Sequence, residues 1–486
     1  MFLLHAPKLF DYAALMKRIA IIGGGISGLS AAYVLEQHRR AGVPLQYVLY
    51  ESSPRLGGVL RTEHVEGCLV EAGPDSFLTE KPWASDLCRE LGIGDQLIGS
   101  NDAERKTYIL IRGRLVPMPD GLLFMVPIKI LPSAFSQLFS FSTKLRIIGE
   151  WFHPPRNSDS DESVAALVQR HYGSEMVERV ADPLLAGVYG GDASQLSVRA
   201  VLPRLREMES EYGSLGRGML RAFRKPRKEK KQPIFTSMKN GMQQISDAIV
   251  GRLPGTSIRL SDPAVTVRYN DKAWSVAAGG AEQKFDSAII ALHAPTAGKL
   301  LRGAHNELAS ELGAISYSSS VIVALAFDEK VRAALPPGFG FLVPRSEGER
   351  ILAVTFVHNK FSYRSPDNRA LLRCFLGGSR DEQAIELSEE EIVRVVRQEL
   401  RQILYLTADP LFTRVYKWKN AMAQYNVGHL ERLEKIEQLR RNLPGLALCG
   451  NAYRGIGVPD CVRSGKEAAE SVMSFLGLPI PPLITN

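Results

Sequence analysis

The sequence is poor in cysteine, and the cysteines it has are badly placed for cross-linking. Its five, Cys68, Cys88, Cys374, Cys449 and Cys461, are odd in number, scattered, and form no CxxC pair. That pattern argues against a disulfide framework and against a metal site, and it suits a reducing compartment such as the cytoplasm. All five read as small buried hydrophobes. Long apolar runs are also missing. The longest, at 122–128, is interrupted by Pro127, whereas a membrane-spanning helix needs roughly 20 apolar residues. The first sixteen residues lack a basic start, a sustained apolar stretch and a cleavage site, so no signal peptide is expected there. Residues 1–14 read as a disordered extension or an upstream start choice, with Met16 just ahead of the first strand. Excess charge is confined rather than general. The formal net charge is +8, but the segment 221–231 (RAFRKPRKEKK) holds seven basic residues and one acid and accounts for +6 of it. With Pro226 inside it and Pro233 just after it, the segment reads as a solvated surface loop; contact with nucleic acid or anionic lipid is the alternative. No basic stripe interleaved with aromatics appears elsewhere, so no nucleic-acid partner is expected.

What is present is a large soluble chain. Its 486 residues, 45% hydrophobic and 23% charged, amount to about three domains' worth of globular sequence. The organising stretch is 17–62. The apolar run Ile19-Ala20-Ile21-Ile22 leads into Gly23-Gly24-Gly25-Ile26-Ser27-Gly28, then an alanine-rich amphipathic stretch, then Tyr47-Val48-Leu49-Tyr50 and Glu51. This is strand, glycine turn, helix, strand, acid. Gly23 allows the tight turn, Gly25 lets the backbone approach a pyrophosphate, and Gly28 lets the helix pack on the strand. Glu51 falls near the spacing of roughly 20 residues expected for a carboxylate that binds a ribose hydroxyl. The bland alternative is a βαβ unit whose glycines serve packing alone.

Ser52-Ser53-Pro54-Arg55-Leu56-Gly57-Gly58 follows the acid directly. A basic residue followed by Gly-Gly here lets backbone amides and Arg55 crowd a second side of a pyrophosphate. The arrangement resembles the flavin amine oxidase superfamily, in which Glu-x(3)-Arg-x-Gly-Gly follows the fingerprint. The resemblance implies FAD rather than NAD.

Further along, 64–70 reads as a hairpin, Gly73-Pro74 as a sharp turn, 83–91 as a helix ending in Gly92, and 108–117 as a hairpin turning near Arg112-Gly113. Residues 122–152 are rich in Leu, Ile and Phe, with Pro127 and Pro132. They suggest short broken helices whose apolar surface either packs under another domain or meets a membrane face. The spacing predicts one amphipathic helix over 164–181, a glycine-dense turn over 186–192, and a helix over 196–211. A meander is expected from 258–260, 265–269 and 274–277, followed by a buried strand over 285–292. Strands at 319–327, 338–343, 351–357 and 371–377 form an antiparallel set, followed by a helix over 387–404.

The second informative stretch is 446–469, LALCGNAYRGIGVPDCVRSGKEAA. A short strand runs into a glycine-rich loop and a helix carrying the small residues Ser464, Gly465, Ala468 and Ala469. Such a helix start can point its dipole at the pyrimidine end of a flavin.

Taken in order, GGGISGLSAAY, ESSPRLGG, EAGPDSF, LLAGVYGGD, MKNGM, GFGFLVP, FLGGS, QYNVGH and GNAYRGIGVPDCVRSG resemble the protoporphyrinogen oxidase family. The likeness is closest to its bacterial oxygen-dependent type, which includes coproporphyrinogen III oxidases, and it covers nearly all of 17–475. It implies an FAD-dependent oxidase of haem synthesis that converts a porphyrinogen to the porphyrin by three two-electron oxidations. Oxygen is the acceptor, peroxide the by-product, and the FAD is bound non-covalently. Gly23, Gly24, Gly25, Ile26, Ser27, Gly28, Glu51, Ser52, Arg55, Gly57 and Gly58 match the family's N-terminal FAD contacts. Gly73 and Pro74 match a loop passing the flavin, Val265 a backbone contact to the adenine end, and Trp418 a bulky position near the ring. Ile456, Gly457 and Val458 match the C-terminal flavin contacts. For the substrate, Gly187 matches a backbone carbonyl facing the macrocycle, Leu342 an apolar wall, Phe375 a stacking side chain, and Arg105 a basic residue holding a propionate. No catalytic acid, base or metal is implied, and the histidines read as structural.

The fold expected is α/β (α+β overall). A Rossmann-like FAD-binding domain (17–80, 232–300 and 430–476) carries an inserted mixed-sheet substrate domain (301–429). A helical subdomain at 81–231 faces either a membrane or another protein; residues 1–16 and 477–486 are an extension and a tail. Besides porphyrinogen and oxygen, the partners left open are a bilayer, ferrochelatase as the next enzyme, and a second copy. The alternatives are an amine oxidase or carotenoid-type desaturase on the same fold, and a non-catalytic flavoprotein scaffold.

Overall fold

The structure is a computed structural model that describes residues 16–123, 125–156, 160–224 and 232–480. Residues 1–15, which include the disordered extension expected over 1–14, most of the basic loop and the end of the tail lie outside the described residues.

The chain opens with β1 (Lys17–Ile22), α1 (Ile26–Arg40) and β2 (Leu45–Tyr50). Both faces of β1 are buried: Ile19 and Ile21 enter one apolar cluster, Ala20 and Ile22 another. A parallel sheet needs that double cover, which its near-continuous apolar run supplies. The sheet has five parallel strands in the order Ile258–Arg259, β2, β1, Ser287–Ile290, Leu446–Leu448. The chain therefore returns to it three times after β2. One of those returns corrects the sequence reading. Ile258 and Arg259, expected in the meander, pair instead with Leu49 and Tyr50 of β2. The meander's third strand is Ala281–Phe285, paired with Ala273–Ala278. Its AEQKF pattern is too polar to announce a strand.

The second sheet is mixed and seven-stranded. Its order is Phe412–Ala423, Tyr317–Asp328, Arg369–Gly377, Ala353–Phe356, Gly340–Leu342, Thr107–Ile111, Arg114–Pro117. All its pairings are antiparallel except Gly340–Leu342 with Thr107–Ile111. The expected hairpin, Thr107–Ile111 and Arg114–Pro117, forms one edge of this sheet. One face (Val321, Val323, Leu325, Leu372, Cys374) is covered by the helix Glu389–Leu404. That helix starts in a capping box between Ser388 and Glu391. The opposite face (Ile322, Ala324, Ala326, Leu371) meets the hairpin Thr62–Val65/Cys68–Glu71.

A helical region packs on the 107–117 edge. The single helix expected over 164–181 is broken. Val164–Tyr172 ends at Gly173, with φ +91°, and the chain resumes through Ser174–Met176 and a wide turn at Val177–Ala181. The helix expected over 196–211 is also divided, into Val198–Val201 and Pro203–Tyr212, because Pro203 cannot donate to the preceding turn. Residues 186–189, expected in a turn, belong to the helix Asp182–Tyr189, and the turn begins at Gly190 with φ +57°. Leu131, Phe135, Phe141, Leu145, Ile148 and Phe152 of this region are exposed. Among the described residues no helix is long and apolar enough to cross a membrane, and all five cysteines are free and buried.

Candidate functional site

The three fingerprint glycines differ in why they must be glycine. Gly23 has φ +107°, and a Cβ there would lie 2.4 Å from the Ala291 carbonyl oxygen. At Gly28 a Cβ would lie 1.9 Å from the Gly23 carbonyl oxygen. The fold itself requires both. Gly25 is different. Its φ of −70° suits any residue, and a Cβ there would meet nothing within 4 Å. It is the N-cap of α1 yet supplies no side-chain cap, so the first helical amides, at Ile26 and Ser27, are uncapped beside open space. Uncapped amides at a helix N-terminus are an anion site.

Around this turn the chain is tightly bonded. The Gly24 amide donates to Glu51 Oε2 at 2.7 Å, and the Ser53 amide to Oε1 at 2.8 Å. The Ser52 hydroxyl reaches the same Oε1. The Gly57 amide donates to the Gly24 carbonyl at 2.8 Å, so it is occupied rather than free for a pyrophosphate. Arg55 bonds within its own loop. Its guanidinium donates to the carbonyls of Leu56, Gly58 and Leu60 and so locks the Gly57-Gly58 loop over the turn. A Cβ on Gly58 would lie 3.2 Å from the Gly25 Cα. Val265 is exposed, and its amide pairs with the Ala277 carbonyl. It sits three residues after Asp262, whose amide donates to the Glu51 carbonyl.

The C-terminal helix Val458–Phe475 packs directly on α1. A Cβ on Gly465 would lie 2.1 Å from the Ser27 carbonyl oxygen. The two helix starts, one after Gly25 and one after Gly457, are thereby held together. Gly457 also caps its helix without a side-chain bond. The preceding loop, which carries Ile456, is braced from the second sheet. Tyr425 donates its hydroxyl to the Asn451 carbonyl at 2.8 Å and accepts the Gly455 amide at 2.9 Å. Its ring stacks on His429 at 4.1 Å. Tyr317 donates to the Asn451 side chain. Cys461 is buried beneath this loop, and burial pushes its thiol up to about 12.

On the sheet, register brings the substrate-side candidates together. Ile322, Phe375, Ala353, Leu342 and Ile109 are successive partners across five strands and so share one face. Gly187 abuts this row, a Cβ there lying 3.5 Å from Leu342 Cδ2. Arg105 stands apart, exposed, two residues before the strand Thr107–Ile111. Trp418 donates its indole N–H to the Ala72 carbonyl at 2.6 Å, beside Gly73, whose own Cα faces the Val59 carbonyl.

Sequence reasoning missed a buried cluster of charges next to Gly73. Arg373 donates to the Gly73 carbonyl at 2.5 Å, pairs with Asp75 at 3.3 Å, and lies over the Phe375 ring at 5.1 Å. Lys360 Nζ donates to both Asp75 oxygens, at 3.0 and 3.1 Å. Arg364 pairs with Glu71 at 2.6 Å. Burial alone would raise the Asp75 carboxyl, but Lys360 and Arg373 hold it well below the usual carboxylate range. Burial pulls Lys360 and Arg373 down, against the pull of Asp75. The members come from segments up to 300 residues apart, and no local spacing signals them.

An open cavity of about 1230 Å³ lies elsewhere, between the helix Glu389–Leu404 and the edge strand Phe412–Ala423. None of the glycines above lines it; its arginines are interleaved with Glu63, Glu389 and Glu390.

A family model described as flavin containing amine oxidoreductase matches residues 26–473. The chain is 33% identical over 474 residues to the coproporphyrinogen III oxidase of Bacillus subtilis (strain 168), covering 95% of this chain and 98% of that one. It is 30% identical over 497 residues to the mitochondrial protoporphyrinogen oxidase of Nicotiana tabacum, covering 95% of each. A crystal structure from Exiguobacterium sp. 255-15 superposes with a TM-score of 0.84 at 30% identity, covering 94% of this chain and 98% of that one.

Proposed function

The chain belongs to the protoporphyrinogen/coproporphyrinogen III oxidase family within the flavin containing amine oxidoreductases, and we propose that it oxidises a propionate-bearing porphyrinogen on a non-covalently held FAD, with oxygen as the final acceptor. It is an FAD-dependent oxidoreductase of porphyrin and haem biosynthesis. The observation that carries the cofactor site is Gly25. The fold gives no reason for a glycine there, and an incoming pyrophosphate does: the open space over Gly25 is the space a side chain would fill. Gly23 to Gly28 and Glu51 would hold the adenine side, and the loop ending in Ile456, Gly457 and Val458 the ring. The uncapped helix start at Val458 would face the ring with its positive dipole end.

When bound, the flavin supplies the hydride-accepting chemistry. The overall change removes six hydrogens from the macrocycle, as three hydrides and three protons, and three molecules of dioxygen take them up to leave as three hydrogen peroxides. The chain's own residues orient and enclose. Phe375, Leu342 and the Gly187 backbone offer an apolar wall for a large ring. None of them is an acid or base, and this reaction needs none at fixed positions. The Cys461 thiol is buried and kept protonated, which favours a dissociable flavin over a thioether link. Denaturing the yellow protein in acid should release free FAD into the supernatant.

The relative at 33% identity is named for coproporphyrinogen III and the one at 30% for protoporphyrinogen; coproporphyrinogen III is therefore the first substrate to test. Under anaerobic conditions either porphyrinogen should bleach the flavin, and turnover of the two in parallel decides between them. Bleaching by an amine alone would overturn the reading in favour of an amine oxidase. The exposed side chains Leu131, Phe135, Phe141, Leu145, Ile148 and Phe152 form a face suited to shallow insertion in a bilayer. Flotation with phospholipid vesicles tests it, and a protein that stays at the bottom of the gradient excludes a membrane role.

A further inference from the structure

Buried charges are costly, and a cluster that serves packing alone is expected to balance them. The cluster beside Gly73 does not. Arg364, Arg373 and Lys360 bring three positive charges; Glu71 and Asp75 bring two negative ones. Arg364 is 0% exposed and Arg373 2% exposed, and the Nε of each has no hydrogen-bond partner. Other bonds in the cluster go to neutral oxygens: Ser76 and Ser237 hydroxyls and the Asp75 carbonyl. The surplus charge is also placed. Arg373 holds the Gly73 carbonyl with one nitrogen while its guanidinium lies over Phe375. It therefore stands between the loop assigned to the flavin and the ring assigned to the macrocycle. The reaction as derived above uses none of these groups as acid or base.

We propose that the Lys360–Asp75–Arg373 cluster is a positioning element that sets the redox poise of the flavin, its surplus positive charge favouring the reduced ring while Arg373 fixes the Gly73-Pro74 loop against it. This rests on the reading that FAD lies beside Gly73. Taking up a hydride brings two electrons and one proton to the ring and so adds one unit of negative charge. A fixed cation in a dry setting stabilises that charge without reorganising. Removing one positive charge should make the flavin harder to reduce, and removing a negative one should make it easier. A merely structural cluster predicts no such opposition of sign.

The test uses the holoenzyme and the two-electron midpoint potential of its flavin, measured by reductive titration against reference dyes. Lys360→Gln and Arg373→Gln should each lower the reduction equilibrium constant about tenfold, which is about 30 mV for a two-electron couple. Asp75→Asn should shift it the opposite way. Shifts of one sign in all three variants, or none, overturn the inference, as does loss of FAD from Lys360→Gln and Asp75→Asn alike. A wild-type protein that holds FAD yet oxidises neither porphyrinogen would overturn the functional reading instead, and the potentials would still decide this one.

Discussion

Replacing Gly25 by leucine should separate binding from folding. At this position the backbone is unstrained, with φ −70°, and the added carbon meets nothing within 4 Å. Two small effects oppose each other in the free protein. Losing a glycine restricts the unfolded chain and stabilises by about 0.4–1 kcal/mol. Leucine is a poorer N-cap than glycine, which costs a comparable fraction of a kcal/mol. The apo protein should therefore melt within a degree or two of wild type. The response to FAD should differ sharply. Wild type at a free FAD concentration of one hundred times Kd gains about 2.7 kcal/mol by mass action; Gly25→Leu should gain nothing and purify colourless. Gly465→Ala is the contrast. Its methyl would lie 2.1 Å from the Ser27 carbonyl oxygen, so α1 and the C-terminal helix must separate. Overpacking of that kind costs about 1–3 kcal/mol and should lower the apo melting temperature before FAD is added. Thermal melts with and without FAD, with flavin absorbance per chain, read both. A Gly25→Leu protein that is yellow at full occupancy would refute the assignment. One that is unfolded without FAD would show that the glycine serves the fold.

Phe375→Ala should lower kcat/KM for the porphyrinogen about ten- to a hundred-fold, the equivalent of 1.5–3 kcal/mol of apolar burial, with flavin content unchanged; loss of flavin would mean that the macrocycle wall is misplaced. Arg364→Ala strands the buried Glu71 carboxylate, whose oxygens also take the Met242 amide and the Thr62 hydroxyl, and should cost about 3–5 kcal/mol in urea melts. His358 is buried, its ring Nδ1 lying 3.2 Å from both the amide and the carbonyl of Leu371; burial pulls its pKa down to about 4, against the bond to the Leu371 backbone and with a smaller push from Arg332. The unfolded chain then binds a proton that the folded one refuses, so stability should fall by about 3 kcal/mol as pH drops from 6.5 to 4, and His358→Phe should flatten that slope. On the more acid side Glu209 matters: burial opposes its ionisation, but His171 and Arg170 hold it at about 2, so its contribution is present above the ordinary carboxylate range and lost as pH falls toward 2.

The fold around the candidate nucleotide site was legible because its information is local. β1, the glycine turn, α1 and β2 lie within residues 17–50, and a turn's geometry depends on neighbours a few residues away. The C-terminal strand, loop and helix were legible for the same reason. Even the pairing of Gly187, Leu342 and Phe375 came only from resemblance, since nothing in their spacing places them in one row. The fingerprint suggested a separate reason for each glycine, but the sequence left open that all three serve packing alone. Gly28 faces a carbonyl and Gly25 faces open space, and only the packed neighbours reveal the difference. Arg55 reads as a phosphate ligand, and its bonds to the carbonyls of its own loop leave no mark in the sequence. Ile258 and Arg259 read as meander because strand pairing in a parallel sheet leaves no mark at short range. The cluster of Glu71, Asp75, Lys360, Arg364 and Arg373 had no local trace at all, since burial and pairing across 285 or more residues are properties of the folded chain. Periodicity and turn chemistry act over a few residues and are written in sequence order; electrostatics and close packing act over a few ångströms, and only the tertiary structure decides which residues those ångströms separate.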